Sequence, residues 1–92
     1  MREHYNHWLP TLFKANAIVF GNHIFYDHDN PSVFLRRHER EHVRQYQEHG
    51  FFGFLLRYLT EYFKGRLSGL DHRKAYLQIS FEVEARKAET IR

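Results

Sequence analysis

The segment from Asn30 to Gly50 constrains the fold most. Asn30-Pro31 sets a capping side chain directly before a proline suited to a helix's first turn, and Gly50 supplies a stop. Between them Val33, Phe34, Leu35, His38, His42, Val43 and Tyr46 tend to one broad face, so the sequence predicts a helix from Pro31 to about His49. The chain has 92 residues, which fits one domain with one core packed against that helix. Nine Phe and six Tyr let a few bulky side chains fill such a core, and a disordered chain is excluded on the same composition.

The flanking elements follow from punctuation. Ala17-Ile18-Val19-Phe20 and His23-Ile24-Phe25-Tyr26 are β-favouring runs around Gly21-Asn22, the signature of a hairpin. Before them, His4 to Lys14 reads as a short helix broken or begun near Pro10, with Trp8, Leu9, Leu12 and Phe13 as its apolar side. After Gly50 a second helix is expected from Phe51 to Phe63, ended by Gly65, Ser68 and Gly69. A last helix takes in Ser80 to about Ile91, with a start as early as Asp71 as the alternative. The fold class expected is α+β, a hairpin or short sheet on three to four helices, spanning 1–92 as one domain.

Composition removes several chemistries. With no Cys there are no disulfides, thiolate metal knuckles or thiol nucleophiles, so any metal must be held by His and carboxylates. The polar start Met1 to Trp8 leaves no room for a signal peptide, which makes a cytoplasmic location the expectation. The most apolar window, Phe51 to Phe63, is too short to span a bilayer and carries Arg57 and Glu61. The net charge is +3, and acids and bases are interspersed rather than clustered from Arg36 to Glu48, the pattern of a solvated surface rather than a nucleic-acid footprint.

The predicted long helix carries the chemistry. His38-Glu39-Arg40-Glu41-His42 is an HExxH sequence, in which two His four residues apart stand one turn from each other and can reach one ion. Zinc takes neutral imidazole or carboxylate ligands and, when catalytic, keeps a fourth position for water. Glu39, on an adjacent side of the helix, is placed to take that water's proton as general base. The third ligand must come from elsewhere, and Phe81-Glu82-Val83-Glu84-Ala85 offers two carboxylates that point to different faces.

The run His38 to Tyr46, then Gly50, Ala75-Tyr76 and Phe81 to Ala85, resembles the minigluzincins, minimal relatives of the thermolysin-like gluzincin zinc metallopeptidases. The resemblance spans about Ala17 to Arg86. It implies a hairpin at the upper rim of a cleft, the HExxH helix as its floor, and a downstream glutamate helix giving the third ligand, which is Glu82 by its position three residues before Ala85. One zinc ion held by His38, His42 and Glu82, with a peptide or protein as substrate, is what the likeness implies. Latent forms are known in the family, so a latent enzyme belongs to the same expectation, and His4 and His7 could block the cleft.

Tyr76 is similar to a tyrosine before the family's glutamate helix, where a phenol can stabilise an oxyanion, and His72 and His23 are rivals for that role. The chain departs from the pattern at Arg86, where many gluzincins carry an Asp that braces a zinc-binding His, so the brace must come from elsewhere. It also lacks the C-terminal subdomain that completes the cleft of larger peptidases.

Either hairpin strand could present a free edge to an extended peptide. The aromatic face from Phe51 to Phe63 reads first as core, and its remainder as a surface for a membrane, a partner or a second copy. Two rivals to a peptidase stand: a non-catalytic zinc protein with the same ligands, and a basic nucleic-acid or membrane module with a chance HExxH.

Overall fold

A computed structural model of the chain describes residues 1–12 and 15–90. In order, the elements are β1 (Arg2–His4), α1 (Trp8–Leu12), β2 (Ala17–Phe20), β3 (His23–Tyr26), α2 (Val33–His49), α3 (Phe51–Leu67), α4 (His72–Leu77) and α5 (Ser80–Ala88). The fold is α+β: a three-stranded mixed sheet packed against helices, with the His-bearing α2 lying against the glutamate-bearing α5.

The hairpin forms as its sequence predicts. β2 pairs antiparallel with β3, from Ala17 opposite Tyr26 to Phe20 opposite His23, around a turn in which Gly21 has φ +57°. The sheet then gains a strand the sequence does not announce. The first residues, expected to lead into a helix at His4, instead form β1, parallel to β3 with Glu3 opposite Ile24. The sheet order is β1-β3-β2, which buries β3 in the middle and leaves β2 on an edge. Of the two strands offered as an edge, only β2 lies on one, and there the Val19 carbonyl accepts a hydrogen bond from Tyr46 Oη at 3.2 Å.

Helix α2 begins two residues later than expected. Ser32, not Asn30, is the N-cap, and its Oγ accepts a hydrogen bond from Leu35 N at 3.1 Å. Val33, which at about 100° per residue stands opposite His42 on the helix, and Phe34 are each 52% exposed, outside the face assigned to them, while Val43 and Tyr46 are buried. Gly50, at φ +77°, ends α2 and opens α3 in a single residue, a conformation an L side chain resists.

Helix α3 runs through Gly65 to Leu67, so Gly65 does not stop it. Its role is close approach: a Cβ there would stand 3.0 Å from Gln78 Nε2 and 3.2 Å from Ala75 Cβ, where α4 crosses. The final helix is two helices. Asp71 caps α4 by accepting from Lys74 N at 2.8 Å, and Ile79, extended and fully buried, separates α4 from α5. Phe13, Lys14 and Ile91, assigned to helices from sequence, lie outside the described residues.

The core has two parts. Ile24, Tyr26 and Val43 join the sheet to α2, and Tyr46, Phe54, Ile79 and Phe81 join α2, α3 and α5. Tyr46, Phe54 and Phe81 stack in succession, with ring centroids 3.9 and 4.7 Å apart. Much of the aromatic content expected inside is on the surface: of the α3 face only Phe54 is buried among its large apolar residues, and Trp8 and Leu12 of α1 are about two-thirds exposed. Among the described residues no helix is long and apolar enough to cross a membrane.

Candidate metal centre

α2 presents His38 and His42 one turn apart on its buried face, and α5 packs alongside so that Glu82 projects between them. Each residue of this trio is less than 10% exposed. His38 Nε2 lies 2.9 Å from Glu82 Oε1, and His42 Nε2 lies 3.2 Å from the same oxygen. One ligand atom from each residue falls within 4.8 Å of the others, and this is the one such His/Asp/Glu group of three found among the described residues. Tetrahedral zinc with bonds of about 2.0–2.2 Å sets its ligand atoms about 3.3 Å apart. Glu84, the other carboxylate on offer, faces away and accepts from Gln45 Nε2 at 3.1 Å.

The hydrogen bonds behind the ligands fix which ring nitrogens face the centre. His42 Nδ1 is 2.8 Å from Gln45 Oε1. The Gln45 amide cannot be turned round, because its Nε2 donates to the Phe81 carbonyl at 3.0 Å and to Glu84. His42 Nδ1 therefore carries a proton. His38 Nδ1 likewise donates to Glu89 Oε2 at 2.7 Å. In their neutral forms both rings would aim an Nε2 lone pair at the Glu82 carboxylate, which is itself an acceptor. Two states resolve the conflict: both imidazoles take a second proton, or a cation sits among the three groups. The donor set, its convergence and its outer hydrogen bonds fit a zinc-type ion.

Without a cation the site relies on protons. Burial lowers the affinity of His38 for a second proton, but its hydrogen bond to Glu82 and the charge of Glu39 outweigh that and push its pKa up to about 9. His42 is raised in the same sense, against burial, by Glu82. Burial disfavours the Glu82 carboxylate, yet hydrogen bonds from His38, His42 and Tyr58 hold it well below the usual carboxylate range. The sign of the stability effect follows. A His raised from 6.5 to about 9 stabilises the fold fully below pH 6.5 and loses that contribution as pH rises through 9; a lowered Glu contributes above pH 4.5 and is lost as pH falls. The metal-free chain is therefore expected to show its highest melting temperature between about pH 4.5 and 6.5 and to weaken towards pH 9 and above, which a thermal unfolding series in chelator checks.

Glu39 is 7% exposed and borders the groove beside the two His. Burial raises its carboxyl pKa, which His42 and His38 partly offset. A carboxyl raised in this way moves towards the range useful for proton transfer near neutrality.

Two tyrosines complete the centre. Tyr76, expected near the site, donates to Glu82 Oε1 at 3.1 Å and lines the groove. Tyr58 is not signalled by any motif, being one more aromatic in α3, and donates to Glu82 Oε2 at 2.5 Å. Burial and the Glu82 charge raise both phenols, so both stay protonated as donors. Of the rivals for electrophilic help, His72 lines the groove and accepts from or donates to Tyr62 Oη at 2.8 Å. His23 does not; it sits on β3 against His4, 3.1 Å away. His4 and His7 are also outside the groove lining, so they do not cover it.

The missing brace is also answered. Arg86 ties α5 to the end of α4 through the Leu77 carbonyl, and Glu89, two turns beyond Glu82 on the same helix face, holds His38 instead. Glu89→Ala should weaken zinc affinity about 10–100-fold without removing a ligand, a shift that competition with a chromophoric chelator would measure.

The groove over the centre has a volume of about 870 Å³. β2 forms one wall from Ala17 to Phe20, and Leu55, Tyr58 and Leu59 of α3 with His72 and Arg73 of α4 form the other. Comparison with protein-family models, with curated proteins and with solved structures gives no match.

Proposed function

We propose that the chain is a zinc metallopeptidase of the gluzincin type, in which residues 1–92 act as one minimal catalytic unit. The observation that carries this reading is the convergence of His38, His42 and Glu82 in a groove that also holds Glu39 and runs along the edge strand β2. His38 and His42 through Nε2 and Glu82 through its carboxylate would hold the ion. When bound, zinc supplies electrophilic polarisation of a carbonyl and lowers the pKa of water towards neutrality.

The chain's own residues supply the rest. An extended peptide pairs its backbone with the open side of β2, which presents a carbonyl to the groove without strong side-chain selection. Glu39 takes a proton from the attacking water as its oxygen bonds to the carbonyl carbon, then passes that proton to the amine as the C–N bond breaks. Tyr76, protonated at the groove wall, turns its one O–H from Glu82 to the carbonyl oxygen as that oxygen gains charge. Glu89 and Gln45 keep the two rings oriented throughout.

The test is hydrolysis of a mixed pool of internally quenched peptides by the zinc-loaded chain. Cleavage that stops with chelator and returns with zinc is expected. One tightly bound zinc per chain with no cleavage of any pool member, before or after trimming of the termini, would move the reading to a non-catalytic zinc protein.

A further inference from the structure

Outside the groove, the most unusual surface is the outer face of α3. Phe52, Leu56, Leu59, Phe63 and Leu67 recur every three or four residues along its whole length and are 49–89% exposed. They form one apolar stripe opposite the buried side that carries Phe54 and Gly65. Isolated exposed apolar residues need no explanation, but a continuous stripe of five along one helix marks a contact surface.

Charge says what covers it. Residues 51–74 contain Arg57, Lys64, Arg66, Arg73 and Lys74 against Glu61 and Asp71, five minus two, or +3; the remaining residues hold nine bases and nine acids. The whole net charge of the chain thus lies on α3, α4 and the turn between them. Arg57 is paired with Glu61 at 3.0 Å, whereas Lys64, Arg66, Arg73 and Lys74 are exposed and have no acidic partner among the described residues. At 100° per residue Arg66 borders one side of the stripe and Lys64 the other. A second copy of this face would bring like charges together, and a nucleic acid would have no use for five apolar side chains.

We propose that the outer face of α3 docks on an anionic lipid surface. The stripe enters the headgroup–acyl boundary with the helix lying in the membrane plane, and the flanking Lys and Arg reach lipid phosphates. Leu59 belongs to both the stripe and the groove wall, and Arg73 stands at the groove beside it, so docking sets the groove against the bilayer surface. The peptides it would then meet are those held at that surface. The docking itself does not depend on the metal reading.

Co-sedimentation with vesicles of phosphatidylcholine alone, or with roughly one-third phosphatidylglycerol, tests this. The wild-type chain is expected to bind the anionic vesicles, to bind the neutral ones far more weakly, and to be released by high salt. Leu56→Glu combined with Phe63→Glu should weaken binding about tenfold or more, whereas Leu12→Glu, at an equally exposed apolar residue off the stripe, should leave it unchanged. Circular dichroism checks the fold of each variant, and Leu67→Glu, at the 89% exposed last residue of α3, replaces the double variant if that loses helicity. Binding that survives these substitutions, or no vesicle binding by the wild type, overturns the proposal. So does a wild-type dimer that the same substitutions convert to monomer, which would assign the stripe to a second copy.

Discussion

Glu39→Gln is expected to abolish peptide hydrolysis while leaving one zinc per chain. The substitution keeps the shape of the side chain and removes its ability to accept a proton. General-base assistance contributes about 10²–10⁴ in rate, so a turnover loss of that order is the expected result. Among the described residues Glu39 makes no hydrogen bond to His38, His42, Glu82, Glu89 or Gln45, so the three ligand groups do not depend on it for orientation. Parallel elemental analysis and peptidase assay on the purified variant separate the two properties. A variant that cleaves as fast as wild type would remove Glu39 from the mechanism, and one that loses zinc as well would make it a structural residue.

Glu82→Ala should have the opposite signature, losing the metal first. It deletes one of three ligands and leaves two imidazoles aimed at an empty corner. It also strips Tyr58 and Tyr76 of their acceptor, since both hydroxyls donate to that one carboxylate. Removing one partner of a buried charged network typically costs about 3–5 kcal/mol, so the metal-free variant should also melt below the metal-free wild type. Zinc content and the melting temperature in chelator read the two effects independently. Full zinc occupancy in Glu82→Ala would dismiss Glu82 as a ligand.

The sequence disclosed the parts of this site that are local. Two His four apart on a well-bounded helix must share a face, and the hairpin around Gly21-Asn22 carries its own turn signal. The stack of α2 on α5 that brings Glu82 to the rings spans more than forty residues, and sequence alone offered Glu82 and Glu84 equally until a family likeness chose between them. Glu89 carries no sequence signal because the family pattern places the brace four residues past Glu82, whereas here it stands seven residues past it. Tyr58 was one aromatic among many on α3, and only packing distinguishes it. β1 is three polar residues with no alternation to reveal it; its order comes from pairing with β3. The boundary between α4 and α5 carries neither Gly nor Pro, only an Ile that is worth burying at the cost of a helical turn. In each case the missing information was a partner distant in sequence.

His38 and Glu82 are 44 residues apart, and the chain contains no cysteine. An ion joining them closes a long loop much as a disulfide would, and such a closure stabilises by restricting the unfolded chain. Small proteins commonly need a staple of this kind. Such a staple would be reversible and set by metal supply rather than by redox potential, and would tie the lifetime of the folded chain against degradation to the metal ion available to it.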